Sequence, residues 1–99
     1  SLKRSRALPD VPTVVEKGFP NFEAGSWFGL FAPKGTPEAV ITLINKTVNE
    51  MLSMPGVEQQ MIAQGADPAG GTAAQFGQFT QREHDKWRVI VRESGARVE

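Results

Sequence analysis

Residues 26–33, Ser26-Trp27-Phe28-Gly29-Leu30-Phe31-Ala32-Pro33, constrain this chain more than any other stretch. Trp27, Gly29 and Phe31 alternate with Phe28, Leu30 and Ala32, so both faces of an extended run would be apolar, the pattern of a strand covered on each side. Pro33 ends it. No second run of this quality occurs in the 99 residues, and a buried strand without a partner leaves backbone groups unpaired at about 1–3 kcal/mol each. Its partners would have to come from a longer chain or from another copy. The abrupt charged start at Ser1 agrees with a piece of something longer, or a processed product.

A chain of this length is one domain at most. Lys plus Arg equals Asp plus Glu at 11 each, so no overall field attracts nucleic acid or an anionic membrane. Lys3-Arg4-Ser5-Arg6 could form a small phosphate patch, but it reads better as a solvated terminal charge run. The absence of cysteine excludes a disulfide framework, a thiolate metal site and a cysteine nucleophile. No apolar run approaches the ~18 residues of a membrane span, and the N-terminus holds no apolar stretch of the signal-peptide kind.

Along the chain, Pro9-Asp10-Val11-Pro12 is a turn and extended segment, because each proline fixes its own φ and disfavours helix in the residue before it. Thr13-Val14-Val15-Glu16 has capping-box spacing and predicts a one-turn helix closed by Gly18. That accounts for Glu16 without a catalytic role. Thr36-Pro37-Glu38 predicts a threonine cap with proline at the first helical position. Val40, Ile41, Ile44, Val48, Met51 and Leu52 then recur at helical spacing. Pro55-Gly56-Val57 opens a shorter helix closed by Gly65. Thr72-Ala73-Ala74-Gln75 repeats the capping box and starts the longest helix, which Gly95 terminates. Phe76, Phe79, Glu83, Trp87, Ile90 and Val91 share one face of it, with Glu83 expected at the edge.

No catalytic constellation emerges. His84 is the single histidine, and Lys86, Trp87 and Arg88 occupy the positions toward which a helical metal site would extend, so a solvent-exposed His84 is expected. No serine sits in a Gly-x-Ser-x-Gly turn, so a hydrolase triad cannot be assembled. Gly70-Gly71 lacks the surroundings of a phosphate cradle and reads as a turn. The three methionines read as packing residues rather than metal ligands. The expectation is no enzyme, no cofactor and no metal.

Arg6-Ala7-Leu8-Pro9-Asp10-Val11-Pro12-Thr13, Glu16-Lys17-Gly18 and Trp27-Phe28-Gly29-Leu30-Phe31-Ala32-Pro33-Lys34-Gly35-Thr36-Pro37 form an ordered series. It closely resembles the C-terminal third of the Bug family (TctC-like), periplasmic solute receptors serving tripartite tricarboxylate transporters. Pro55-Gly56-Val57, Gly65-Ala66-Asp67-Pro68 and the stretch from Phe79 through Trp87 to Gly95 also match, so the resemblance covers essentially the whole chain. It implies a two-lobed Venus-flytrap parent of α/β lobes, a periplasmic location, and a small organic acid or amino acid enclosed between the lobes and passed to a membrane permease. The family's ligand-gripping loops lie mainly upstream of the matched region, so no ligand-binding residue is carried over. Lobe closure needs residues that absorb dihedral change, and Gly25, Ser26 and Trp27 are the hinge candidates.

The expected fold is therefore an α+β fragment, mainly helical with one buried crossing strand. Residues 1–25 would end the second lobe, 26–33 cross between lobes, and 34–99 form the helical C-terminal part of the first lobe. Helices are expected near 37–53, 56–64 and 73–94. The expected core is Trp27, Leu30, Val40, Ile44, Val48, Leu52, Ile62, Phe76, Phe79 and Trp87. The competing functional expectation is a stand-alone structural or interaction domain without ligand binding, forming a strand-exchanged homo-oligomer.

Overall fold

Local capping chemistry decides where the helices begin and end. In a computed structural model, which describes residues 1–98, the first regular element is a single 3-10 turn, Val15–Lys17. Glu16 N–H donates to Thr13 Oγ1 at 3.1 Å and Thr13 N–H to Glu16 Oε2 at 2.7 Å, the reciprocal bonds of a capping box. Gly18, at φ 101°, ends the turn in the left-handed region.

Helix α1 runs Glu38–Leu52. Its entry departs from expectation by one residue. Pro37 occupies the cap position, while the Thr36 hydroxyl turns back to donate to the Pro33 carbonyl at 2.8 Å. Helix α2, Pro55–Ala63, has proline in its first turn, where the missing N–H costs nothing. It ends in paired bonds from Gly65 N–H to Ile62 C=O and from Ala66 N–H to Met61 C=O, both 2.9 Å, the two bonds of a Schellman motif. Helix α3, Ala73–Ser94, starts at the Thr72–Gln75 capping box, complete in both directions at 3.1 and 2.9 Å, and stops at Gly95 with φ 71°.

Both α2 and α3 pack on α1. A polar clamp fixes the connection between them. Asn49 grips Gly71 from both sides, its Nδ2 donating to the Gly71 carbonyl at 2.9 Å and its Oδ1 accepting from the Gly71 amide at 2.8 Å. Asn45 Nδ2 donates to the same carbonyl at 2.9 Å. A side chain at Gly70 would meet Asn49 Oδ1, so that loop approaches α1 closely only as glycine.

The expected buried crossing strand is not formed. The described residues contain helices and turns and no strand. Residues 26–33 are extended, but no segment offers them a ladder of donors and acceptors. Apolar alternation specifies extended backbone, whereas a strand also needs a neighbour, and the described chain holds none. Phe28 is consequently 96% exposed and Leu30 69%. The α+β assignment gives way to an all-helical arrangement.

The core expectation also needs correcting. No described residue is fully buried. Val48, Leu52, Ile62, Phe76 and Phe79 are half-buried, while Trp27, Leu30, Val40, Ile44 and Trp87 remain exposed. The accessible surface is 8486 Å², against roughly 5,500 Å² for a compact monomer of 10.8 kDa. The Cα radius of gyration is 16.4 Å, against about 13 Å for a compact domain of this length. Three helices with one shared neighbour cannot enclose a core, and apolar side chains that match a core pattern stay at the surface.

The clamp makes a quantitative prediction. Asn49→Ala removes both bonds to Gly71 and lowers stability by about 1–2 kcal/mol. Asn45→Ala lowers it by less, because the Gly71 carbonyl keeps Asn49. Urea unfolding midpoints check the order; equal losses would show that Asn49 is not the principal grip.

Candidate functional site

The extended run reaches the helices through its aromatic side chains. Trp27 meets Phe76 edge-on at 5.8 Å between ring centroids and Phe79 at 5.2 Å, with interplanar angles of 86° and 76°. Phe31 adds a tilted contact with Phe76 at 5.1 Å. These are the separations and orientations that aromatic quadrupoles favour. Gly29 lies directly against the Phe76 ring, in space that any Cβ would contest. Phe76 and Phe79 are three residues apart on α3, which puts them on one face.

Of the hinge candidates, Gly25 and Ser26 are exposed and a side chain at Gly25 would find open space. Trp27, immediately after them, is the residue anchored on α3. The stretch before them is tied by Lys86, whose ammonium donates to the Glu23 carbonyl at 3.0 Å and pairs with Glu83 Oε2 at 2.6 Å. Glu83 is far from a rim residue. Its side chain is only 12% exposed, with its carboxylate paired to the Lys86 ammonium.

Laying Trp27 across α3 creates a shallow groove of about 850 Å³, lined by Trp27, Thr80, Trp87, Arg88, Val91 and Arg92 among others. His84 borders it, exposed as expected, with Nδ1 at 3.4 Å from Arg88 Nη2 and 3.6 Å from Asp85 Oδ1. A second depression of about 360 Å³ lies between α1 and α2, where Arg6 Nη2 pairs with Glu58 Oε1 at 2.6 Å beside Asn49, Ser53 and Pro68. The first groove escaped sequence reasoning, which assigned Trp87 to the core and left Arg88 and Arg92 without a role. A usable signal existed: the chain's two tryptophans are both in the groove, and Trp87–Val91 and Arg88–Arg92 are i,i+4 pairs on adjoining stripes of one helix.

At the N-terminal segment, Arg4 Nε holds both oxygens of Glu16 at 3.1 and 2.9 Å, and Arg4 Nη1 donates to the Pro9 carbonyl at 3.1 Å. The basic run is therefore partly committed to an internal contact. The hydrogen bond from Arg4, followed by that from the Thr13 amide, holds the Glu16 carboxyl below its ordinary range, and the same bond raises the Arg4 guanidinium. Among the described residues no cluster of three or more His, Asp or Glu side chains could hold a metal ion, and no helix is long and apolar enough to cross a membrane.

Two predictions follow from these contacts. Because the folded value of Glu16 is depressed, its contact with Arg4 is complete above the ordinary carboxylate range and is lost as pH falls through the depressed value. An NMR titration should therefore show Glu16 titrating below the ordinary glutamate range, and moving back up toward it in Arg4→Ala; an unchanged midpoint would remove Arg4 as the cause. Gly29→Ala should push the extended run off Phe76 and shift tryptophan emission to the red, while helical circular dichroism stays the same. Unchanged emission would contradict the close seating.

The family described as tripartite tricarboxylate transporter family receptor matches residues 1–96. Protein BugT of Bordetella pertussis is 42% identical over 98 residues, which is 99% of this chain and 30% of that protein. The UPF0065 protein of the tcbD-tcbE intergenic region of Pseudomonas sp. (strain P51) is 36% identical over 92 residues, 92% of this chain and 27% of that protein. The corresponding protein of the clcB-clcD intergenic region of Pseudomonas knackmussii is 34% identical, over 92% of this chain and 54% of its own length. The chain thus spans between about a quarter and a half of the length of these relatives.

Proposed function

We propose, from the premise that this chain belongs to the tripartite tricarboxylate transporter receptor family, that it is part of a periplasmic receptor capturing a small carboxylated solute. The receptor hands the solute to the membrane permease of a tripartite tricarboxylate-type transporter, and it is a binding protein rather than an enzyme. The observation that carries this reading is the family match across residues 1–96, supported by the relative named BugT. An organic acid or an amino acid, each bearing a carboxylate, meets the chemical requirement. Backbone amides at helix N-termini would suit such an anion.

Within that receptor, residues 26–33 join the loop segment 1–25 to the helical unit 34–99, and Gly25, Ser26 and Trp27 form the pivot. The open space at Gly25 and the anchored ring of Trp27 support this division. Gly25→Pro, by locking φ, should then reduce any ligand-dependent change in radius of gyration measured by solution scattering; an undiminished change would place the pivot elsewhere.

Thermal melting of the receptor expressed from its complete reading frame, against a panel of mono-, di- and tricarboxylates and amino acids, tests capture directly. A true ligand at one hundred times its Kd stabilises by about 2.7 kcal/mol, a shift of several degrees or more in Tm. No shift across the panel would overturn the reading.

A further inference from the structure

Lys86 does more than complete an ion pair. Its ammonium meets Glu83 Oε2 at 2.6 Å and the Glu23 carbonyl at 3.0 Å, and it lies 5.6 Å from the centre of the Trp87 ring. Glu83 stands three residues before it on α3, a spacing that brings the two side chains together. The Arg6–Glu58 pair, by comparison, has side chains 54% and 34% exposed, where water competes for both partners. Glu83 therefore fixes the ammonium on the helix, and a second N–H is left to reach a different segment. A charged donor makes that bond stronger than a neutral one would.

Glu23 lies two residues before Gly25. Among the described residues, the bond from Lys86 is the only hydrogen bond that reaches residues 23–32. Just after Gly25 and Ser26, Trp27 is seated on Phe76 and Phe79. The segment is thus pinned to α3 on both sides of those two residues, and the two pins differ in kind. The Trp27 seat gains buried area and two ring pairs. The Lys86 pin is one bond to a carbonyl, which water can replace. If the chain turns about Gly25 and Ser26 while Trp27 stays seated, Glu23 is displaced relative to α3. An N–H···O contact does not survive a separation beyond about 3.5 Å, so the Lys86 bond is the contact such a turn breaks. We propose that Lys86 is a latch across the pivot: it holds the Glu23 carbonyl, and with it the segment before the pivot, against α3, and Glu83 keeps its ammonium in position. The latch rests on the reading of Gly25, Ser26 and Trp27 as the pivot.

The test measures one distance in the receptor expressed from its complete reading frame, cleared of other cysteines and refolded from urea to strip bound solute. Nitroxide labels go on Lys17→Cys and Arg82→Cys, both exposed, one before the pivot and one on α3. Electron–electron double resonance should give a single narrow distance. Lys86→Met keeps an apolar stem without a donor, and it should raise the population outside that distance about two- to tenfold, the range one net hydrogen bond allows. Glu83→Gln should raise it by less, and Lys86→Arg, which keeps a charged donor, should restore the narrow distance. Helical circular dichroism and tryptophan emission should not change, because Trp27 remains seated. An unchanged distribution in Lys86→Met, equal broadening in Lys86→Arg, or broadening accompanied by red-shifted emission would overturn the latch. Gly25→Pro added to Lys86→Met separates the two readings: broadening that persists moves the pivot elsewhere and leaves Lys86 as the pin it releases, whereas broadening that disappears supports both. No solute enters this assay, so its failure leaves solute capture standing.

Discussion

Trp27, seated edge-on against Phe76 and Phe79, is the contact on which the arrangement of this chain depends. Without it, the extended run and everything before it would be joined to the helices chiefly through Lys86 and Arg6. Exposed polar contacts of that kind contribute little when solvent competes for both partners. An aromatic cluster is different, since it gains area burial together with about 0.5–1.5 kcal/mol per favourable ring pair. The seat is one-sided, however. Trp27, Gly29 and Phe31 lean on α3, while Phe28 on the opposite face of the run meets solvent. Period-two alternation makes this inevitable: a run that is apolar on both faces can satisfy only one of them against a single helix.

The same one-sidedness explains what could and could not be read from the residues. Helix ends are decided within about four residues, by a threonine and a glutamine three apart, a proline in the first turn, or a glycine that accepts positive φ. Thr72–Gln75, Pro55, Gly65 and Gly95 therefore announce α2 and α3 directly. Thr36 shows the limit of that reasoning. Its hydroxyl had two acceptable uses, and the Pro33 carbonyl in the preceding turn won it. Burial is another matter, because it requires an opposing surface that no local pattern reports. Val40 and Ile44 share the helical stripe of Val48 and Leu52, yet only the latter two are half-buried.

Legibility of the candidate site divides along the same line. The Thr13–Glu16 box was visible because it is local, whereas its third member, Arg4, lies twelve residues away and joins it only through tertiary folding. Gly25, Ser26 and Trp27 were singled out by resemblance and by glycine chemistry. The groove beside Trp27 was not, because Trp87 in a helical apolar stripe is ordinarily a core residue. It becomes a groove residue only when the extended run stops short of covering it.

Charge balance deserves the same local treatment. Equal numbers of acids and bases cancel at distances beyond a Debye length of about 10 Å at 0.1 M salt, so neutrality removes long-range steering and says nothing about a surface a few ångströms away. In this chain the bases are allotted unequally. Arg4, Arg6 and Lys86 have carboxylates within 3 Å, and each pair ties one segment to another or shields a half-buried acid. Arg88 and Arg92, like Lys3, Lys17, Lys34, Lys46, Arg82 and Arg97, have none among the described residues, but they alone of these line the groove with the two indoles. Where Arg88 and Arg92 share a groove with the two indoles, the local field, not the net charge, sets the potential near the surface.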